Sequence, residues 1–114
     1  MATVNYTETE LDKKRKLVKW TSLAAGDTGQ PFDMAGFSFK TLHIYPDATT
    51  NLVLDILLSN ETGAPNAANS PSGFQSSSAV PQLIPAFYDL RWIWPKISSG
   101  STGGWNVILY VQEQ

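Results

Sequence analysis

Residues Tyr88–Val111 read YDLRWIWPKISSGSTGGWNVILYV, and this stretch decides the fold. Two β-rich runs flank a polar, glycine-rich connection. The first places Tyr88, Leu90, Trp92 and Trp94 at alternate positions. The second does the same with Trp105, Val107, Leu109 and Val111. Alternate residues of a strand share a face, so each run offers one apolar face to a core. Pro95 is expected to end the first strand, and Ser98–Gly104 to form the loop between them.

Working outward, the same period recurs. Leu17–Ser22 sets Val18 and Trp20 on one face, and Ala24–Pro31 is a turn cluster in which Gly26 and Gly29 supply positive φ and Asp27 caps backbone. Phe32–Met34 reads as a short strand broken at Ala35–Gly36. In Phe37–Tyr45, residues Phe39, Thr41, His43 and Tyr45 share one face, and Lys40, Leu42 and Ile44 the other. In Asn51–Ser59, Leu52, Leu54, Ile56 and Leu58 make a continuous apolar face. Asn60–Ser78 reads as a long irregular loop anchored by Phe74, and Ala79–Ile84 as an edge strand interrupted by Pro81. The spacing predicts an all-β fold, an antiparallel β-sandwich or jelly roll over residues 17–114, with an extended N-terminal arm over residues 1–16.

Thr7 and Glu10 have capping-box spacing, so a short helix through Glu8–Lys16 is one reading of the arm, with Leu11 as its apolar residue. Five of the eight basic residues fall between Lys13 and Lys19. The arm is either a solvated terminus or a segment that docks on a neighbour. In the docking case Leu11, Lys14 and Arg15 are its contact residues.

Bulk properties exclude several classes. The 114 residues suit one domain. Charged residues are only 16%, below the ~25% of ordinary soluble domains, which suggests that part of the surface faces other protein. The net charge of −2 argues against nucleic acid or a membrane surface as partner. With no cysteine there is no disulfide, thiolate catalysis or thiolate metal site. The N-terminus shows no apolar signal region, and no apolar run approaches the ~18 residues of a membrane span.

The chemistry is sparse. His43, the single histidine, lies within a strand pattern, and Asp33, Asp47, Asp55, Glu61 and Asp89 sit at turns or alternate with apolar residues. Neither acid–base pairs nor metal ligands are indicated, so no enzyme activity, cofactor or metal is expected. Arg91, flanked by aromatics and on the face opposite Trp92, is a candidate protein-interface residue, as is Phe74 in the long loop.

GDTGQPF, AGFSFKTLHIY, NLVLDILLSNE and RWIWPKISSGSTGGWNVILYV, taken together, resemble small virion proteins of tailed bacteriophages. The resemblance covers roughly Lys19–Glu61 and Leu90–Val111, and departs from the family pattern at Trp94, where an arginine is common. It implies a capsid decoration or cement protein, not an enzyme, that is made in the host cytoplasm and held on the capsid surface of the virion. The implied partners are the major capsid protein and further copies of the chain, as a homotrimer. Alternatives are a tail, neck or head-fibre component, or a carbohydrate-binding sandwich stacking sugars on Trp92, Trp94 or Trp105.

Overall fold

A computed structural model describes residues 3–47, 50–66, 69–76, 82–84, 91–98 and 103–113. Among these, eleven strands follow in order: β1 (Thr3–Val4), β2 (Thr7–Glu10), β3 (Arg15–Leu23), β4 (Thr28–Gly29), β5 (Phe32–Asp33), β6 (Phe37–Pro46), β7 (Leu54–Ser59), β8 (Ser72–Ser76), β9 (Gln82–Ile84), β10 (Trp92–Ile97) and β11 (Trp105–Glu113). They form two sheets. The first runs β1-β4-β10-β7-β8, with β5 also paired to β10. The second runs β2-β3-β11-β6-β9. All pairings are antiparallel except β1 with β4. The all-β sandwich follows from period-2 patterning in nearly every long strand.

The core lies between the sheets. Val18 and Trp20 of β3, Leu42 and Ile44 of β6, and Trp105, Val107, Leu109 and Val111 of β11 come from the second sheet. Leu54, Ile56 and Leu58 of β7, preceded by Leu52, face them from the first. Two indoles also bridge between the layers. Trp20 Nε1 donates to Gln30 O at 2.9 Å, and Trp105 Nε1 to Leu52 O at 3.1 Å. Each ring thus buries its apolar body with its one donor satisfied.

β10 departs from expectation in two ways. It continues through Pro95, which lies opposite Ile56 of β7. Ile97 N donates to Asp27 O, on the side away from β7, and alternation turns the Pro95 nitrogen to that side as well. There the neighbouring backbone is interrupted between β4 and β5, so no donor is required. The core face of β10 is also not its aromatic one: Ile93 and Ile97 join the core cluster. Trp94, 2% exposed, pairs with buried Leu57 on the far side of the sheet. Half-buried Trp92 shares that side. Tyr88 and Leu90, expected on the same face, lie outside the described residues, as do Pro81 and most of the Ser98–Gly104 loop.

The N-terminal segment forms no helix. Thr7–Glu10 pairs with Lys16–Lys19, and the turn is closed by Asp12, whose Oδ1 accepts from Lys14 N and Arg15 N. The capping-box helix had almost nothing to bury, whereas a strand gains a ladder against β3, which is already fixed by Val18 and Trp20. The segment read as an arm therefore supplies an edge strand to each sheet, β1 to the first and β2 to the second. Tyr6, between them, meets Trp20 and Phe32 edge-on, at 5.8 and 5.5 Å between ring centroids.

Two turn readings are refined. Gly26 has φ 76° in a turn closed by Asp27, but Gly29 is not in the left-handed region. A Cβ there would come within 2.5 Å of the Pro95 ring and 2.7 Å of Trp20 Cδ1, so close packing explains that glycine. The Asn60–Ser78 loop contains β8, which pairs with β7 and sets Phe74, partly buried, against the core.

Candidate protein interface

The chemical groups picked out by sequence are spread apart and serve the chain itself. His43 is exposed on the outer face of the second sheet, its ring tilted against Tyr45 with centroids 5.2 Å apart. Asp27 Oδ2 accepts from Ala24 N, Asp47 Oδ1 from Asn106 Nδ2, and Asp55 Oδ1 from Ser72 Oγ and Gln75 Nε2. Glu61 accepts from Asn66 N. Among the described residues no three His, Cys, Asp or Glu side chains gather to hold a metal. Asp89 lies outside the described residues.

Arg91 sits where the strand enters β10 and fastens three segments. Its Nη2 donates to Asp33 Oδ2 at 3.2 Å, its Nη1 to Thr62 O at 3.1 Å, and its guanidinium lies 5.2 Å from the Trp92 ring centroid. Its backbone N–H donates to Asn60 Oδ1. Burial would raise the Asp33 carboxyl, but the Ala35 N–H and the Arg91 guanidinium outweigh it and hold that group below its ordinary value. Phe74 is on the first sheet, remote in sequence and register from the basic N-terminal residues.

Leu11, Lys14 and Arg15, by contrast, come together at the β2–β3 hairpin. Leu11 is 47% exposed at the tip. Arg15 is held by Asp12, Nε to Oδ2 at 2.7 Å, which keeps the Asp12 carboxyl below its ordinary value. Lys14 O accepts from Glu113 N at 2.7 Å, so the tip is tied to the end of β11. Lys13, Lys14 and Lys19 make no ion pair among the described residues.

The register connects this tip to residues that sequence reading left uninterpreted. Arg15 lies opposite Gln112 of β11, which lies opposite Phe39 of β6. Phe39 is 54% exposed, the most exposed large apolar side chain among the described residues. It meets Tyr110 edge-on at 6.4 Å. One row further, Leu17, Tyr110 and Thr41 are aligned and half-buried. In the next, Lys19, Ile108 and His43 are aligned. The signal was present: Leu42 and Ile44 match Val107 and Leu109 on the core side, which turns Phe39 outward. Lys40 obscured it, because this lysine shares the core-facing side and is only 4% exposed.

No family model matches the chain, and no curated protein matches it. Solved structures do resemble it. One is the SPBc2 prophage-derived protein YomS, with a TM-score of 0.59 at 14% identity, covering 90% of this chain and 98% of that one. Another is PliG, a periplasmic inhibitor of g-type lysozyme from Aeromonas hydrophila, with a TM-score of 0.48 at 12% identity over 99% of this chain and 96% of that one. A third is the xylan-binding module CBM86 from Roseburia intestinalis, with a TM-score of 0.33 at 16% identity over 97% and 84%. At such identities the likeness is one of fold: the chain shares the two-sheet architecture of a prophage-derived protein across nearly that protein's whole length.

Proposed function

We propose that this chain is a structural protein of a tailed-bacteriophage virion that decorates the capsid, binding the major capsid protein from the outer surface as a homotrimer. The observation that carries the reading is the fold shared with a prophage-derived protein over 98% of its length. It stands beside the sequence resemblance to small virion proteins. The molecule suits such work. Its strands form a two-sheet sandwich and several of its carboxylates bond within the chain, while one sheet face combines exposed aromatic and basic side chains. In this reading it acts by binding, without a catalytic step. Sugar stacking has little support in the tryptophans, since Trp94 and Trp105 are buried and Trp92 lies half-buried beside Arg91.

Quantitative mass spectrometry of purified virions tests the reading. A capsid decoration protein should be present on the order of hundreds of copies, as a repeating closed shell requires. About a dozen copies or fewer would move the protein to the neck or tail. Its absence from virions would end the virion reading altogether.

A further inference from the structure

We propose that the outer face of the second sheet, centred on Phe39 and Tyr110 and bordered by the Lys13–Lys19 segment, is a docking surface for an acidic protein surface bearing apolar side chains. This assignment does not depend on the virion reading. It would hold for this molecule in any assembly.

The chain has ten carboxylates against eight basic side chains. Alternation and register place none of the described carboxylates on the outward positions of β2, β3, β11 or β6. Thr7 and Thr9 take those places on β2, and Glu8 and Glu10 fall on the other parity. Asp12 and Asp47 stand at the two ends of the face, held by Arg15 and Asn106. The face itself carries Lys19 and Arg15, with Lys13 and Lys14 at its border. Among the described residues the face carries cations and no carboxylate between its two ends, on an acidic molecule, and this segregation of charge attracts a partner of opposite sign.

The second element is apolar. Phe39 keeps half of its surface in water in a chain that buries its other described phenylalanines wholly or in part. Tyr110 meets it edge-on, and Leu17 and Ile108, also half-buried, lie beside Tyr110 on the same face. An aromatic anchor among half-buried apolar neighbours with basic groups at the rim is the usual anatomy of a protein interface.

Other occupants fit less well. Single-stranded nucleic acid also stacks on aromatic sheet faces, but it needs several free cations to neutralise successive phosphates. Arg15 is already paired with Asp12, and the chain is acidic overall. A second copy docked face to face would bring the same cations together, with only Asp12 and Asp47 at its ends, each already held within its own chain, to receive them.

The test uses the full isotope-labelled chain and three probes: a short peptide alternating glutamate and leucine, its lysine–leucine counterpart, and oligothymidine. The expected result is saturable binding of the acidic peptide alone. Amide shifts should centre on Leu17, Lys19, Phe39 and Tyr110, and added salt should weaken binding. Phe39→Ser and Lys19→Glu should each reduce affinity about tenfold or more. Neither side chain is in the core, so unchanged thermal midpoints separate lost binding from lost folding. No binding of the acidic peptide, equal binding of the basic peptide, binding of oligothymidine, or concentration-dependent self-association abolished by Phe39→Ser would each overturn the proposal.

Discussion

Gly29 carries more of the packing than its size suggests. It faces the Pro95 ring and Trp20 at distances no Cβ tolerates, and neither neighbour can yield, because Trp20 is fully buried and Pro95 is fixed in a central strand. Gly29→Ala should therefore destabilise the fold by about 1–3 kcal/mol, the range for overpacking a tight core, read as a lowered denaturant midpoint. Its neighbour Gly26 is needed for conformation instead. Asp33 gives a second residue-level expectation. Its carboxyl is held below its ordinary value of 3.8, so its contribution is present at pH above about 4 and is lost as pH falls through the lower, folded value. Asp33→Asn should lower the midpoint at neutral pH and flatten the acid limb of the stability–pH curve. An acid limb of unchanged slope would show that the Asp33 carboxyl carries no such linkage.

The elements divide into those whose pattern declares them and those that only their neighbours define. β7 and β11 were legible because every second residue of Leu52–Leu58 and of Trp105–Val111 is large and apolar. β1, β2 and β8 were not. TETE has no apolar residue, and Ser72–Ser76 holds only Phe74. These strands exist because β3, β4 and β7 present backbone donors and acceptors to them, which is tertiary information. β10 was legible as a strand, yet its faces were misassigned. Tryptophan mass pointed to the core, while the β-branched Ile93 and Ile97 fill the space between the sheets and the aromatics cover the sheet's other side. The candidate interface followed the same logic. Leu11, Lys14 and Arg15 could be named from composition, but joining them to Phe39 required the register of β3, β11 and β6. At this scale Tyr6 is the testable joint. It wedges against Trp20 and Phe32 where the chain passes from one sheet to the other. Tyr6→Ala should destabilise by about 2 kcal/mol, less than a fully buried aromatic because Tyr6 is only half-buried, and should speed hydrogen exchange in β1 and β2.

Across the whole molecule, the two sheets divide the work. The first is buttressed on its outer side by Trp94 and Leu57 and latched by Arg91. Among the described residues the second presents aromatic and basic groups on its outer side, and its edge strand β2 carries Glu8 and Glu10. Charged residues on an edge discourage stray strand pairing, so the open face can be adhesive without making the edge so. One arrangement also governs how the molecule is made. β11 sits between β3 and β6, and both precede it by many residues. Until it emerges during synthesis, β3 and β6 have no common partner, and Val18, Trp20, Leu42 and Ile44 lack the strand that joins them into one face. Closure is thus a late, non-local event, slower than any hairpin step, and crowded nascent chains are most prone to associate wrongly just before it. The timing of that last central strand would set the yield of correctly folded chains.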